Sequence, residues 1–212
     1  MDERQNNHVL LCGAAAAAPG FSHESRGERF YSFPLDVARL SGAVDRLPVV
    51  LRESLMARLP LSPGERVMII GELRSFNNQS GVGRKLVITV FTREIRSAGQ
   101  AELENRVTLT GTLCRPPLHR FTPLGREIAD LMLAVNRPYG KSDYLPCIAW
   151  GCSARRAAAW NQGTRVHILG RLQSRESIKV IDGDSHRRVA YEVSVSEIET
   201  AEAVSGPGDR PL

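Results

Sequence analysis

The chain has 212 residues, of which 42% are hydrophobic, and its 28 lysines and arginines outnumber its 23 aspartates and glutamates. This length fits one large or two small domains, and the net charge of +5 favours a polyanionic partner, although a basic surface can also be inert. No apolar run approaches the roughly 18 residues of a membrane span, so we expect no membrane partner.

The first half of the sequence predicts a series of short strands with one helix. Leucines at positions 51, 55 and 59 follow helical spacing, and Pro60 and Pro63 end the pattern, which predicts a helix over 52–59. A polar hairpin loop is predicted at 77–83. The predicted strands span residues 8–13, 27–37, 45–51, 66–73 and 85–92.

The second half repeats this order. The run that begins at Asp45 and continues Arg-Leu-Pro-Val-Val-Leu returns 98 residues later as Asp143, Tyr, Leu, Pro, Cys, Ile and Ala. The same offset aligns many other positions in one order, which indicates a duplication. The helix predicted here spans 153–160, and a second polar hairpin loop is predicted at 182–188. The predicted strands span residues 107–111, 128–136, 144–150, 165–172 and 189–196.

Each half therefore has about five strands, with one helix between the third and fourth. Gly71 and Gly170 interrupt apolar strands where a small closed barrel needs a sharp bend or a bulge. The sequence predicts a mostly β protein with two tandem five-stranded OB-fold barrels, the Greek-key barrel that commonly binds oligonucleotides. The predicted domains cover 1–99 and 103–200, followed by a short disordered tail at 201–212.

The sequence offers little for catalysis or metal binding. It contains no phosphate-binding Gly-rich loop, no Gly-x-Ser-x-Gly motif and no carboxylates clustered with histidine, so we expect no enzyme and no cofactor. No cysteine forms a Cys-x-x-Cys pair, so no metal site is expected. We expect small buried thiols in a reducing cytoplasm at four positions, Cys12, Cys114, Cys147 and Cys152.

One stretch, residues 139–151, combines rings, cations and strand-like alternation. On an extended chain alternate side chains share a face, so residues 144, 146, 148 and 150 point one way and residues 145, 147 and 149 the other. One face can pack inward while the other presents Tyr144 and Trp150. A basic surface with exposed rings can hold unpaired nucleic acid, because bases stack on rings and cations follow the phosphates.

The second half, residues 105–198, resembles the bacterial single-stranded DNA-binding protein family. The resemblance rests on four segments in the family's order: 105–111 (Asn-Arg-Val-Thr-Leu-Thr-Gly), 133–137 (Leu-Ala-Val-Asn-Arg), 143–151, and 163–172, which has glycines at positions 163 and 170. The first half resembles the family less well and is assigned mainly through the repeat. The resemblance implies OB-fold barrels that bind single-stranded DNA with little sequence preference, in replication, recombination or repair.

The resemblance also implies the site residues. Family members stack bases on rings at the places that Tyr139, Tyr144 and Trp150 occupy here, whereas residues 174–178 lack a further family aromatic. In the first half the matching positions are Ser41 or Gly42, Arg46 and Arg52, so arginines replace the stacking set, and Phe76 alone is left as a platform. Tyr144 and Trp150 could instead be core residues, and the arginines a solvated face. The predicted cations that contact nucleic acid are Arg39, Arg46, Arg52, Arg74, Arg120, Arg137, Lys141, Arg171 and Arg175.

The resemblance leaves the partners open. Familiar members assemble four barrels, which this chain would reach as a homodimer. They recruit replication or repair proteins through an acidic tail, which the sequence at 205–212 lacks. Two alternatives stay open: a primosome-like adaptor with one DNA-binding and one protein-binding barrel, and an OB-fold protein that binds structured RNA.

Overall fold

The computed structural model describes residues 6–78, 85–99, 103–181 and 184–201. The predicted mostly β class is confirmed, since these residues form one 12-stranded sheet with two short α-helices. The elements of the first half are β1 (Asn7–Ala15), β2 (Gly20–Ser25), β3 (Glu28–Ala38), β4 (Val44–Arg52), α1 (Glu53–Arg58), β5 (Arg66–Asn77) and β6 (Leu86–Ser97). Those of the second half are β7 (Asn105–Leu113), β8 (Leu118–Phe121), β9 (Glu127–Asn136), β10 (Ser142–Trp150), α2 (Gly151–Ala158), β11 (Arg165–Ile181) and β12 (Asp184–Thr200). No helix in these ranges is long and apolar enough to cross a membrane.

The strand pairings in each half return to the strand at which they began. β1 pairs with β3 and β5, β3 with β4, β4 in parallel with β6, and β6 with β5. In the second half β7 pairs with β9 and β11, β9 with β10, β10 in parallel with β12, and β12 with β11. The register repeats as well: Ala14 faces Asp36, and Thr112 faces Ala134. The two halves therefore share one topology.

The bulges predicted at two glycines are confirmed. The register between paired strands shifts at Gly71 in β5 and at Gly170 in β11. A Cβ atom at either position would overlap a backbone carbonyl oxygen of the neighbouring strand, that of Phe91 or of Ser194. Only glycine lets the two backbones approach this closely while the strand bends.

The inward faces of the strands form the core. Alternate residues of β4 and β10 are fully or almost fully buried, including Leu47, Val49 and Leu51 in the first half. Cys12 and Cys147 are buried as predicted, and Cys114 is partly buried. The expectation of burial is wrong for Cys152, which is exposed because it lies on the outer side of α2.

Several element boundaries differ from the prediction. The hairpins that contain β2 and β8 were missed, because β2 is exposed along its whole length and carries no apolar alternation. The loop predicted at 182–188 is wrong for residues 184–188, since β12 begins at Asp184 and pairs with Ile181, and residues 182 and 183 lie outside the described residues. Ladder hydrogen bonds extend through polar residues, so the apolar pattern ends before the strand does. Of the loop predicted at 77–83, residues 79–83 lie outside the described residues, as do residues 202–212 of the predicted tail.

The two halves join edge to edge through β1 and β7. These strands pair in antiparallel fashion with Val9 opposite Val107, and Asn7 faces Leu109 as Leu11 faces Asn105. Val9 and Val107 are themselves 98 residues apart, so equivalent residues meet at the centre of the junction. This arrangement is a two-fold relation between the halves, as in an isologous dimer interface.

Candidate nucleic-acid interface

Strand β10 presents Tyr144 to the outside of the second half. Its inward residues Leu145, Cys147 and Ala149 are buried, as the alternation predicts, while the Tyr144 side chain is 50% exposed. Ile148 does not share this exposure. It shares the face of Tyr144, because the register of β10 is unbroken, but it is buried where β12 pairs alongside β10, so an outward face that is exposed throughout is wrong at Ile148.

Trp150 ends β10 and is partly buried. Its indole Nε1–H donates a hydrogen bond to the Ser194 hydroxyl of β12 at 3.2 Å. The polar end of the ring is thus satisfied within the protein, which fixes the orientation of the indole and leaves part of it accessible.

Tyr139 and Lys141, the other predicted site residues of this stretch, lie at the turn before β10. The backbone of Tyr139 belongs to a short 3-10 turn, Pro138–Gly140, and its side chain lies outside what the structure describes. Lys141 is exposed directly after this turn. The Arg137 N–H donates to the Lys141 carbonyl oxygen at 2.6 Å and closes the turn.

Arg137 and Arg74 converge on a fully buried carboxylate, that of Asp143. Arg137 donates from Nε at 2.6 Å and also from Nη2, and Arg74 of the other half donates from Nη1 at 3.1 Å. The backbone N–H of Ser75 donates to the same carboxylate at 2.5 Å. Since Ser75 and Arg74 belong to β5, this cluster ties the second half to the first.

The equivalent cluster forms around Asp45, which is also fully buried. Arg39 donates to it from Nε at 2.6 Å and also from Nη2, and Ser174 of the other half donates from its N–H at 2.7 Å and from its hydroxyl at 2.9 Å. Burial alone would raise the pKa of Asp45, but these hydrogen bonds and the Arg39 charge together lower it. Arg39, Arg74 and Arg137 thus have a place in the junction between the halves.

Most of the remaining predicted arginines lie at the surface in ion pairs. Arg46 makes a bidentate pair with Asp36, with N–O distances of 2.8 and 2.9 Å, and this hydrogen bonding lowers the pKa of Asp36. Arg120 Nε donates to Asp130 at 2.7 Å. The closest N–O distances of the others are 3.2 Å for Arg52 with Glu28 and 3.6 Å for Arg175 with Glu192. Arg171 is exposed on β11.

The two hydrogen-bonded corners of the junction, one around Ser75 and Tyr144 and the equivalent one around Ser174 and Arg46, carry different exposed side chains. At one corner the Ser75 hydroxyl accepts a hydrogen bond from the Tyr144 N–H at 2.7 Å, and Phe76, 52% exposed, follows Ser75 directly. This contact brings two exposed rings from different halves to one corner. The positions that correspond to these rings at the other corner hold Arg46 and Arg175.

The sequence reasoning missed two residues of the first half, Phe91 and Arg93 on β6. The guanidinium carbon of Arg93 lies 4.9 Å from the centroid of the partly buried Phe91 ring. A single ring in an alternating strand looks like a core residue, and only the pairing of β6 with β4 puts it beside Arg52. Among the residues that the structure describes, no group of three or more His, Cys, Asp or Glu side chains could hold a metal ion.

In each half the strand pairings return to the strand at which they began, and rings and cations lie on the outer face, which is typical of an OB-fold that binds nucleic acid. The family model of the single-strand binding protein family matches residues 104–201. The single-stranded DNA-binding protein of Clostridium tetani is 35% identical over 105 residues, which are 46% of this chain and 70% of that protein. The chain belongs to the single-strand binding protein family, which confirms the resemblance.

Two further comparisons show how much of its relatives' length the chain matches and which solved structure shares its fold. The single-stranded DNA-binding protein of Halalkalibacterium halodurans is 36% identical over 92 residues, 40% of this chain and 52% of that protein. The chain spans about half the length of the first curated relatives that it matches. The crystal structure of wild-type single-stranded DNA binding protein from Thermus aquaticus shares the fold, with a TM-score of 0.77 and 23% identity over 97% of this chain and 96% of that one.

Proposed function

We propose that this protein binds single-stranded DNA with little sequence preference and protects it during replication, recombination or repair. The observation that carries the proposal is the half-exposed Tyr144 ring on the outer face of β10, in a chain that belongs to the single-strand binding protein family. A ring held on a rigid strand, with its neighbours buried in the core, is a stacking platform for any base, because every base has a π-face.

The mechanism combines stacking with phosphate contacts. Tyr144, Trp150, Tyr139 and Phe76 are the stacking candidates, and each stacked base contributes about 1–3 kcal/mol. The exposed cations Lys141, Arg171 and Arg175 follow the phosphates, together with the surface arginines at 46, 52 and 120. Each phosphate contact makes the slope of log affinity against log salt more negative by about 0.7 for a single strand.

Three of the cations that the sequence assigned to DNA have a different part in this proposal. Arg39, Arg74 and Arg137 hold the buried carboxylates of Asp45 and Asp143, and their withdrawal toward DNA would leave those charges unpaired. An uncompensated buried charge is strongly destabilising. We therefore assign these arginines to the junction and leave phosphate binding to the exposed cations.

The architecture that goes with this function is a tandem of five-stranded OB-fold barrels at residues 1–99 and 103–200, each with one helix between its third and fourth long strands. The closed series of strand pairings in each half supports it. Two chains would then supply four barrels, and a homodimer is the assembly that we propose.

Tryptophan fluorescence of the full chain, titrated with oligo-dT at low and at moderate salt, tests the function. The chain has two tryptophans, so Trp150→Phe and Trp160→Phe separate their signals. Trp160 is partly buried against the core and is the matched control. We expect saturating quenching that weakens with salt, is lost in Trp150→Phe and persists in Trp160→Phe.

Two results would overturn the proposal. One is the absence of oligo-dT binding at low salt in an independent assay such as fluorescence anisotropy of labelled DNA, which would favour barrels that bind protein. The other is a clear preference for an RNA hairpin loop over oligo-dT, because readers of structured RNA recognise splayed loop bases and the 2′-hydroxyl.

A further inference from the structure

At the matching place in the two halves, the aromatic ring lies on different strands: on β10 in the second half (Trp150) and on β6 in the first half (Phe91). Arg52 ends β4 as Trp150 ends β10. Across the parallel pairings, Phe91 of β6 lies opposite Val50, and Ser194 of β12 lies opposite Ile148, the residue that corresponds to Val50. In the second half the ring belongs to β10 and its polar partner to β12. In the first half the order is reversed, with a guanidinium on β4 and the ring on β6.

Phe91 is surrounded by cations. The guanidinium carbons of Arg93, Arg52 and Arg74 lie 4.9, 5.6 and 5.8 Å from the ring centroid, within the range of a cation–π contact. The Phe30 ring lies behind it, 6.0 Å away between centroids. We call Phe91 and these three arginines the Phe91 cluster. A guanidinium can stack on a base as well as on a ring, so the cluster combines a stacking surface with phosphate donors.

The carboxylates around the cluster leave it open to an anion. Glu72 accepts from Arg93 Nε at 2.9 Å and also pairs with Arg74, whose Nη1 is held by the buried Asp143. Glu28 pairs with Arg52 at 3.2 Å. Arg93 is 42% exposed, and its contact with Glu72 uses one of five N–H donors. A phosphate can therefore approach the outer edge of Arg93 while Glu72 stays paired with Arg74.

We propose that the Phe91 cluster is the first half's own contact with single-stranded DNA, with a base stacked against Phe91 and the partly exposed Arg52 and a phosphate bound by Arg93. The proposal rests on the proposed function. It makes the two halves bind by different strands: the second half through rings on β10, and the first half through a ring on β6 in addition to Phe76 on β5. The arginine at the end of β4 then completes the first-half site instead of marking a lost one.

Two substitutions test the cluster. Phe91→Leu keeps an apolar side chain and removes the ring, and Arg93→Gln removes one exposed charge. Their matched controls are Phe21→Leu and Arg58→Gln. Phe21 is 56% exposed on β2 and has the Arg29 guanidinium carbon 5.3 Å from its ring centroid. Arg58 is exposed on α1. Circular dichroism melts verify that each variant is folded.

The assay is fluorescence anisotropy of labelled oligo-dT over a series of salt concentrations. We expect Phe91→Leu to weaken affinity about 5-fold or more, the equivalent of one stacked base, with an unchanged salt slope. Arg93→Gln should make the negative slope shallower by about 0.7, the share of one phosphate on a single strand. Phe21→Leu should bind as the wild type does. Arg58→Gln should keep the wild-type slope.

The outcomes separate this inference from the proposed function. If the wild type binds oligo-dT while Phe91→Leu and Arg93→Gln behave as their controls do, the cluster is a packing feature and the inference is wrong, although the function stands. Absence of binding by the wild type at low salt would instead overturn the function and this inference together.

Discussion

Replacing Asp143 with asparagine should loosen the two halves from one another. The carboxylate is fully buried and accepts hydrogen bonds from Arg137 of its own half and from Arg74 and Ser75 of the other. Asparagine has nearly the same shape but only one acceptor oxygen and no charge. The substitution therefore leaves two guanidinium groups at the junction without their shared counter-charge.

The structure gives the size of this effect. Breaking a buried ion pair by removing one partner costs about 3–5 kcal/mol, because the other charge is left buried and unpaired. Arg137 is about one quarter exposed and can rehydrate, so we expect the lower end, about 3 kcal/mol. For a chain of this length that corresponds to a fall in melting temperature of about 6–12 °C.

Urea unfolding followed by circular dichroism measures the loss. The matched control is Asp36→Asn, which removes a surface pair with Arg46, itself 67% exposed, and should change the midpoint far less. An Asp143→Asn protein whose unfolding free energy lies within about 1 kcal/mol of the wild type would refute the view that this carboxylate holds the halves together.

Three other perturbations have expected outcomes. The lowered pKa of Asp45 means that its share of the stability is present above about pH 4 and is lost as the pH falls through its folded-state pKa, so Asp45→Asn should flatten the acid-side loss of melting temperature. Gly71→Ala should destabilise by about 1–3 kcal/mol in urea unfolding because its Cβ meets a carbonyl oxygen, whereas Gly20→Ala, where nothing lies within 4 Å, should be close to neutral. Asn7→Ala should cost about 1–3 kcal/mol in the same assay, because the buried Asn7 side chain satisfies both the N–H and the carbonyl of Leu73.

The sequence predicted what depends on local alternation and on the repeat. The buried residues of β10, the bulges at Gly71 and Gly170 and the topology common to both halves all follow from patterns within a few residues or from the constant offset. The short strands β2 and β8 did not follow from them, because an exposed edge hairpin needs no apolar period.

The roles of the arginines could not be predicted in the same way. Arg39 and Asp45 are six residues apart, but Ser174, which completes the cluster, lies 129 residues beyond Asp45. An arginine that binds a phosphate and one that binds a buried carboxylate look alike in the sequence. The distinction comes from the antiparallel pairing of β1 with β7, which brings the hairpin of one half against the strand end of the other.

The repeat separates the residues that the fold requires from those that the surface is free to vary. Both halves keep the buried aspartate with its arginine and the glycine at the bulge. Both also keep an asparagine in the first strand that bonds the backbone of the fourth long strand, Asn7 to Leu73 and Asn105 to Leu172. The positions of the outer rings differ at every pair compared above: a ring in one half corresponds to arginine or serine in the other. On the proposed function, this duplicated scaffold with matched internal contacts and unmatched surfaces means that the two halves contact single-stranded DNA by different chemistry. Variants at paired surface positions should therefore have unequal effects on binding, while variants at paired internal positions should have similar effects on stability.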